Sequence, residues 1–317
     1  MTLEEESDEM EYLLDRRKQL GGLLPSRRPV QIKEDLPDGE TYGAFDGGTP
    51  EGQKVSTTMA FVRLLRNLLK SEIGDKVVPI IPDEGRTFGM DPLFSEFEIF
   101  ASQGQHYTPV DHSMLLKYKE SKSGQVLQEG ISEAGAIASW IASATSYSHA
   151  QSPTLPFYTL YSMFGFQRVA DQIWSAADAR DRGFLMGPTE GGTTLNGEGL
   201  QHQDGHSHLA AAATPNLKAY DLAYAYEIAV IIHYGLDLMY NKNEDVFFYL
   251  TLENENYIQP SMPQGVNEGI IKGMYQLKSG KNQDLKVQLL ASGSMVNEII
   301  EASKLLKSDW NIESDIW

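Results

Sequence analysis

Short apolar runs alternate along most of the chain with stretches in which apolar residues recur every three or four positions. The runs read as buried strands and the periodic stretches as amphipathic helices. Their alternation predicts an α/β fold with a doubly wound, mostly parallel sheet. KVVPIIPDEG gives a strand over Val77 to Ile81, LPFYTLY a second, FLMG a third and DVFFYLTLENE a fourth. Phe61, Val62, Leu65, Leu68 and Leu69 lie at helical spacing behind a capping cluster, Ser56-Thr57-Thr58. AYAYEIAVIIHYGLDLMY (Ala223 to Tyr240) is a buried helix, and after SMFGF a long amphipathic helix runs through Arg168, Ala170, Ile173, Trp174 and Ala177. QVLQEGISEAGAIASWIASATSY (Gln125 to Tyr147) is a strand-to-helix junction with Ser132 as N-cap and Glu133 in the first turn.

Breakers divide the chain. Residues 1–32 carry a helix, DEMEYLLDRRKQL, then a Gly21-Gly22 stop and the Pro-punctuated LLPSRRP, and read as a connector whose pairs Arg16-Arg17 and Arg27-Arg28 are solvated or ion-paired. The chain between this connector and the next linker reads as one α/β domain. Beyond the linker IQPSMPQGVNEG (Ile258 to Gly269), strands in MYQLKSG and KVQLLASGS and a helix in MVNEIIEASKLLKS open a second α/β domain. This domain is expected to be incomplete, because a new strand starts as the chain reaches SDIW.

Composition narrows the function. A net charge of −18 argues against a nucleic-acid or anionic-membrane surface, which needs clustered Lys and Arg. Without cysteine there is no disulfide, thiolate metal site or Cys nucleophile, which suits a cytoplasmic protein. No apolar run approaches the roughly 18 residues of a membrane span.

The candidate chemistry lies where strands hand over to helices or loops. Glu133 is the principal candidate, although a carboxylate in a first helical turn also serves the helix dipole. Asp83 and Glu84 end the Val77 to Ile81 strand, where α/β sheets hold ligands. Tyr161 and Phe164 flank the turn after LPFYTLY, so one ring can face a pocket. PTEGGTTLNGEGLQHQDGHSH is too Gly- and Thr-rich for a regular element. Its His202, Asp204, His206 and His208 invite a metal reading, yet zinc motifs pair histidines on a helix or with cysteines, and HQDGHSH does neither. Structural hydrogen bonding accounts better for them.

Taken together, ISEAGAIASW, PDEGRTFGM (Pro82 to Met90), FYTLYSMFGFQRVADQIW (Phe157 to Trp174) and TTLNGEGLQHQDGHSH (Thr193 to His208) resemble the thiamine-diphosphate-dependent pyruvate dehydrogenase E1 component of the homodimeric bacterial type. The resemblance covers essentially the whole chain. It departs at Gly192, where Arg is expected, and is loose in TYGAFDGGTPEG. It implies that 33–262 is the pyrimidine-binding domain and 263–317 the first part of a transketolase-like C-terminal domain. The domain holding Mg²⁺ and the diphosphate would precede residue 1, so the chain is expected to be a fragment, silent alone.

By the same resemblance Glu133 bonds the coenzyme's aminopyrimidine and drives its tautomerisation. Ile131, Tyr161, Phe164 and Arg168 also line the coenzyme, Asp83 and Glu84 face the channel, His202 meets substrate, and Glu198 orients the loop. The implied reaction takes pyruvate to CO₂ and an acetyl unit passed to lipoyl on a dihydrolipoamide acetyltransferase, in a homodimer whose contact includes the Ala-rich helix after Glu133. Alternatives are a transketolase-like enzyme acting on sugar phosphates, a non-catalytic dimerisation or interaction module, and, as an outsider, a metal-dependent hydrolase.

Overall fold

The computed structural model describes residues 4, 6–22, 30–82, 85–110, 112, 118–189, 202–281 and 285–317. Residues 1–31 and 32–317 are separate compact units. In the first, α1 (Asp8–Gln19) begins at Ser7, whose hydroxyl accepts from the Met10 amide, and carries acids in its first turn and bases in its last, as the helix dipole favours. It buries no residue within its unit.

The second unit is built on six parallel strands: β1 (Val77–Ile81), β2 (Leu127–Gln128), β3 (Leu155–Thr159), β4 (Phe184–Gly187), β5 (Leu217–Asp221) and β6 (Phe247–Thr251), in the spatial order β2-β1-β3-β4-β6-β5. Side chains alternate across the sheet. Phe157, Phe184 and Phe248 pair in register and stack towards one face, Phe157 on Phe184 at 4.7 Å and Phe184 on Phe248 at 5.3 Å. There they meet α2 (Thr57–Lys70) and α5 (Ala225–Tyr240). Tyr158, Leu185, Phe247 and Tyr249 point the other way, into a core with α3 (Glu133–Ala144) and α4 (Ser162–Ala179). Gly235 lets α5 close on the sheet, since a Cβ there would come within 2.8 Å of the Phe184 ring.

The Val77–Ile81 and Phe184–Gly187 strands match the periodicity residue for residue, and Ser56 caps α2 as expected, accepting from the Met59 amide at 3.1 Å. Three differences have physical causes. SMFGF is the first turns of α4 and not a lead-in, because Ser162 N–H is satisfied by Thr189 Oγ1 at 2.9 Å and helix can start at once. NLKAYD supplies β5, an edge strand half-buried along its length, whose mixed polarity hides it from a periodicity reading. MYQLKSG is not a strand: it makes a single bridge, Lys278 to Ile316, while Tyr275 turns inward and Gly280 N–H donates to Asp315 Oδ1 at 2.9 Å.

Beyond the sheet, β7 (Lys286–Leu289) and β8 (Glu313–Ile316) pair in parallel around α6 (Met295–Trp310). The linker is anchored at its start, where buried Gln259 donates to Val55 O at 2.7 Å and accepts from the Ala225 amide at 2.9 Å. No helix among the described residues is long and apolar enough to cross a membrane.

Candidate functional site

From β1 the chain moves outward to β2 and then returns past β1 to β3, so connections leave the carboxyl ends of β1 and β3 in opposite directions. This reversal opens a crevice, the place where doubly wound sheets bind ligands. Three elements converge on it: the turn from β2 into α3, the start of α4 and the segment beginning at His202.

The first turn is fixed by Ser132, whose Oγ accepts from the Gly135 amide at 3.2 Å and caps α3. That places Glu133 at N1, its side chain 19% exposed. Arg168 Nη1 donates to Glu133 Oε1 at 2.6 Å. The same guanidinium lies over the Phe164 ring at 4.2 Å, a cation–π contact that fixes its plane. A kink at Val169 (φ −131°) ends the first turns of α4, which carry Phe164, Gln167 and Arg168.

The aromatic wall follows from β3. Tyr161, buried at the N-cap of α4, stacks on His202 at 5.2 Å and 22°, and Phe164 meets the His202 ring edge-on at 5.5 Å. Phe88 closes the wall behind Tyr161 at 5.1 Å. One carboxylate, one guanidinium and three rings on neighbouring elements can hold a flat, nitrogen-rich ring: the rings supply stacking surface, and Glu133 offers Oε2 beyond the oxygen used by Arg168.

The other expected residues fall as follows. Ile131 stands 74% exposed on the turn before α3. Asp83, Glu84, Gly192 and Glu198 lie outside the described residues. Asp204 is buried and structural, accepting from the amides of His206 at 3.1 Å and Ser207 at 3.0 Å and from the Ser207 hydroxyl. Burial works against its charge, but these donors hold it below the usual carboxylate range. His208 Nε2 bonds Thr251 Oγ1 at 2.8 Å, and His206 Nε2 meets Gln167 Nε2 at 2.7 Å, tying the His202 segment to α4. Among the described residues no three His, Cys, Asp or Glu side chains gather to hold a metal ion.

Sequence reasoning passed over Glu129, Gln167 and Phe88. Glu129 follows β2 directly, donates its amide to Ile81 O at 3.1 Å, and accepts from Ser139 on α3. Like the acids after β1, it stands at the carboxyl end of a strand, where such sheets hold ligands. Burial, with Glu133 and Glu129 both near, pushes the Tyr158 hydroxyl up.

Residues 32–260 match the sequence model of the pyruvate dehydrogenase E1 component middle domain. A pyruvate dehydrogenase E1 component from Cupriavidus necator is 54% identical over 320 residues, covering 100% of this chain and 36% of that protein. The corresponding protein of Pseudomonas aeruginosa is 52% identical, covering 99% of this chain and 36% of its own length. The chain thus spans about a third of the curated relatives it matches. Among solved structures, transketolase from Leishmania mexicana superposes with a TM-score of 0.67 at 19% identity, over 89% of this chain and 36% of that one. This likeness concerns the fold.

Proposed function

Because the chain belongs to the pyruvate dehydrogenase E1 middle-domain family, we propose that it forms the pyrimidine-binding part of a thiamine-diphosphate enzyme that decarboxylates pyruvate and passes the acetyl unit to lipoyl on a dihydrolipoamide acetyltransferase. The observation that carries this reading is the convergence at the switch point of Glu133, its 2.6 Å partner Arg168 and the wall of Tyr161, Phe164 and His202. Thiamine diphosphate supplies the electron sink on which a 2-oxo acid can lose CO₂.

The protein's part is to bind, orient and move one proton. Tyr161 and Phe164 present π-faces to the aminopyrimidine and exclude water from it. With the coenzyme bound, Glu133 would hold or yield a proton at one of its ring nitrogens, through the oxygen that Arg168 does not engage. Arg168 keeps that carboxylate in one rotamer. His202, its ring stacked on Tyr161, offers a donor to the carboxylate of pyruvate. Ile131 borders the coenzyme from its exposed turn, and Mg²⁺ with the diphosphate belongs to another domain of a longer polypeptide. In this reading residues 1–32 connect that domain to the pyrimidine domain at 33–262, residues 263–317 begin the C-terminal domain, and the whole is a cytoplasmic homodimer.

Calorimetric titration of thiamine diphosphate and Mg²⁺ into the chain, alone and combined with a related enzyme's diphosphate-binding domain, tests it. Binding is expected in the combination and a drop of at least ~100-fold with Glu133→Ala, consistent with losing a charge-assisted bond to the coenzyme. Tight binding unchanged by Glu133→Ala would sink the assignment.

A further inference from the structure

The carboxyl edge of the sheet holds a second acidic pair, far along the strand order from the candidate site. Asp221 ends β5, and Glu253 follows β6, whose Thr251 pairs with Asp221. Asp221 Oδ1 accepts from Thr251 Oγ1 at 2.9 Å and Oδ2 from Ser292 Oγ at 2.5 Å. Glu253 Oε1 accepts from the Ser294 amide at 3.3 Å, and its backbone is pinned to α2, N–H to Thr57 Oγ1 at 2.7 Å and C=O from Thr58 Oγ1 at 2.9 Å. Both acids therefore grip the turn Ala291–Ser294 that leads into α6.

Gly293 in that turn has φ +53°, and a Cβ on it would lie 2.8 Å from Glu253 Oε1 and 3.0 and 3.1 Å from the two Asp221 oxygens. The two carboxyl groups thus close on one point. Glu253 is 2% exposed, and its other oxygen, Oε2, is buried without a hydrogen-bond partner. A carboxylate as dry as Glu253, with the acid Asp221 beside it, does not keep its charge without a counter-charge.

We propose that Glu253 is held protonated beside Asp221 and that this neutral form keeps the start of α6 latched on the middle sheet, so that the junction loosens as pH rises. The nearest base is His208, whose Nε2 bonds Thr251 Oγ1 at 2.8 Å and so reaches Asp221 only through that hydroxyl; the other titratable neighbours are acids. Asp221 faces the group from β5, Glu255 from its own segment, Glu227 from α5 beside Asp221, and Glu298 stands in the first turn of α6. Thr57, Thr58, Ser292 and Ser294 complete the contacts without charge. Burial first, then Asp221 and Glu255, push Glu253 up to about 7. Glu227 reaches about 7 as well, mainly through burial, but its oxygens already have donors in Tyr275 and the amides of Ala223 and Tyr224. The open acceptor is on Glu253.

A carboxyl group raised in the folded state binds a proton that the unfolded chain has lost, so the closed form weakens as pH climbs from the ordinary Glu value towards 7 and levels off above it. The latch is independent of the coenzyme reading and is tested on this chain. Amide exchange across 291–300, corrected for intrinsic rates, is followed from pH 5 to 8.5 in the wild type, Glu253→Gln and Asp221→Asn. The opening equilibrium of the wild type should grow by up to ~tenfold per pH unit below 7, Glu253→Gln should flatten the rise, and Asp221→Asn should move it to lower pH. Equal slopes in wild type and Glu253→Gln would overturn the proposal. So would recovery of protection at pH 8 on adding Mg²⁺, Ca²⁺ or K⁺, which would seat a cation where the proton is placed. If Glu253→Gln does not fold, the direction of the Asp221→Asn shift decides alone.

Discussion

Two sets of carboxyl groups near the same sheet edge are handled in opposite ways. Glu133 sits at the open crevice, 19% exposed at its side chain, with Arg168 as a cationic partner that is itself half in solvent. Glu227 is buried on α5 and meets only neutral donors: Tyr275 Oη at 2.5 Å, the Ala223 amide at 2.7 Å and the Tyr224 amide at 3.3 Å. The difference teaches what solvent permits. Near solvent an acid remains available to a ligand; inside, burial drives it towards the neutral form, and its value lies in holding backbone and side chains in one arrangement.

The comparison breaks most visibly at Glu227. Glu227→Ala leaves two amides and the Tyr275–Tyr226 hydroxyl pair without their acceptor, and should cost about 3 kcal/mol in urea unfolding. A loss below about 1 kcal/mol would mean that water replaces the carboxyl group and that the network is not dry.

Asp181 sharpens it, because it has burial with no compensation. Both its oxygens are buried without partners, and burial pushes it up to about 8. The folded chain then holds a proton that the unfolded chain releases above about pH 4, so this residue lowers stability by up to ~1.4 kcal/mol per pH unit between about 4 and 8. Asp181→Asn should remove that slope and raise the melting temperature at pH 8 relative to wild type; melts of the two proteins that run parallel across pH would refute it.

The smallest effect on stability belongs to the crevice. Arg168→Ala should cost less than about 1 kcal/mol in unfolding, as exposed ion pairs do. Coenzyme affinity in the reconstituted site should fall by at least ~tenfold, since Glu133 loses the contact that fixes its rotamer. A large loss of stability with affinity intact would make the pair structural.

Much of this was legible in the amino acids. Capping at Ser56 and Ser132 is a local bond to an amide three residues on, and β1 and β4 are runs buried on both faces, so neighbours in sequence suffice to find them. The edge strand β5 escaped because an edge is half wet and tolerates Lys218 and Asp221. Glu129 escaped because its partner, Ser139, is reached only once α3 folds back over β2.

Sequence alone therefore determined the α/β alternation, the caps and the short set of polar and aromatic residues able to do chemistry, since each depends on propensities over a few neighbouring positions. Tertiary structure decided which of them meet. Arg168 reaches Glu133 across 35 residues, His202 stacks on Tyr161, and Glu253 meets the Ser294 turn across 41, because the strand order carries them to one edge. It also decided which acids are dry: the fate of Glu133, Asp181, Glu227 and Glu253 is set by burial and by donors distant in sequence, and no local pattern encodes either.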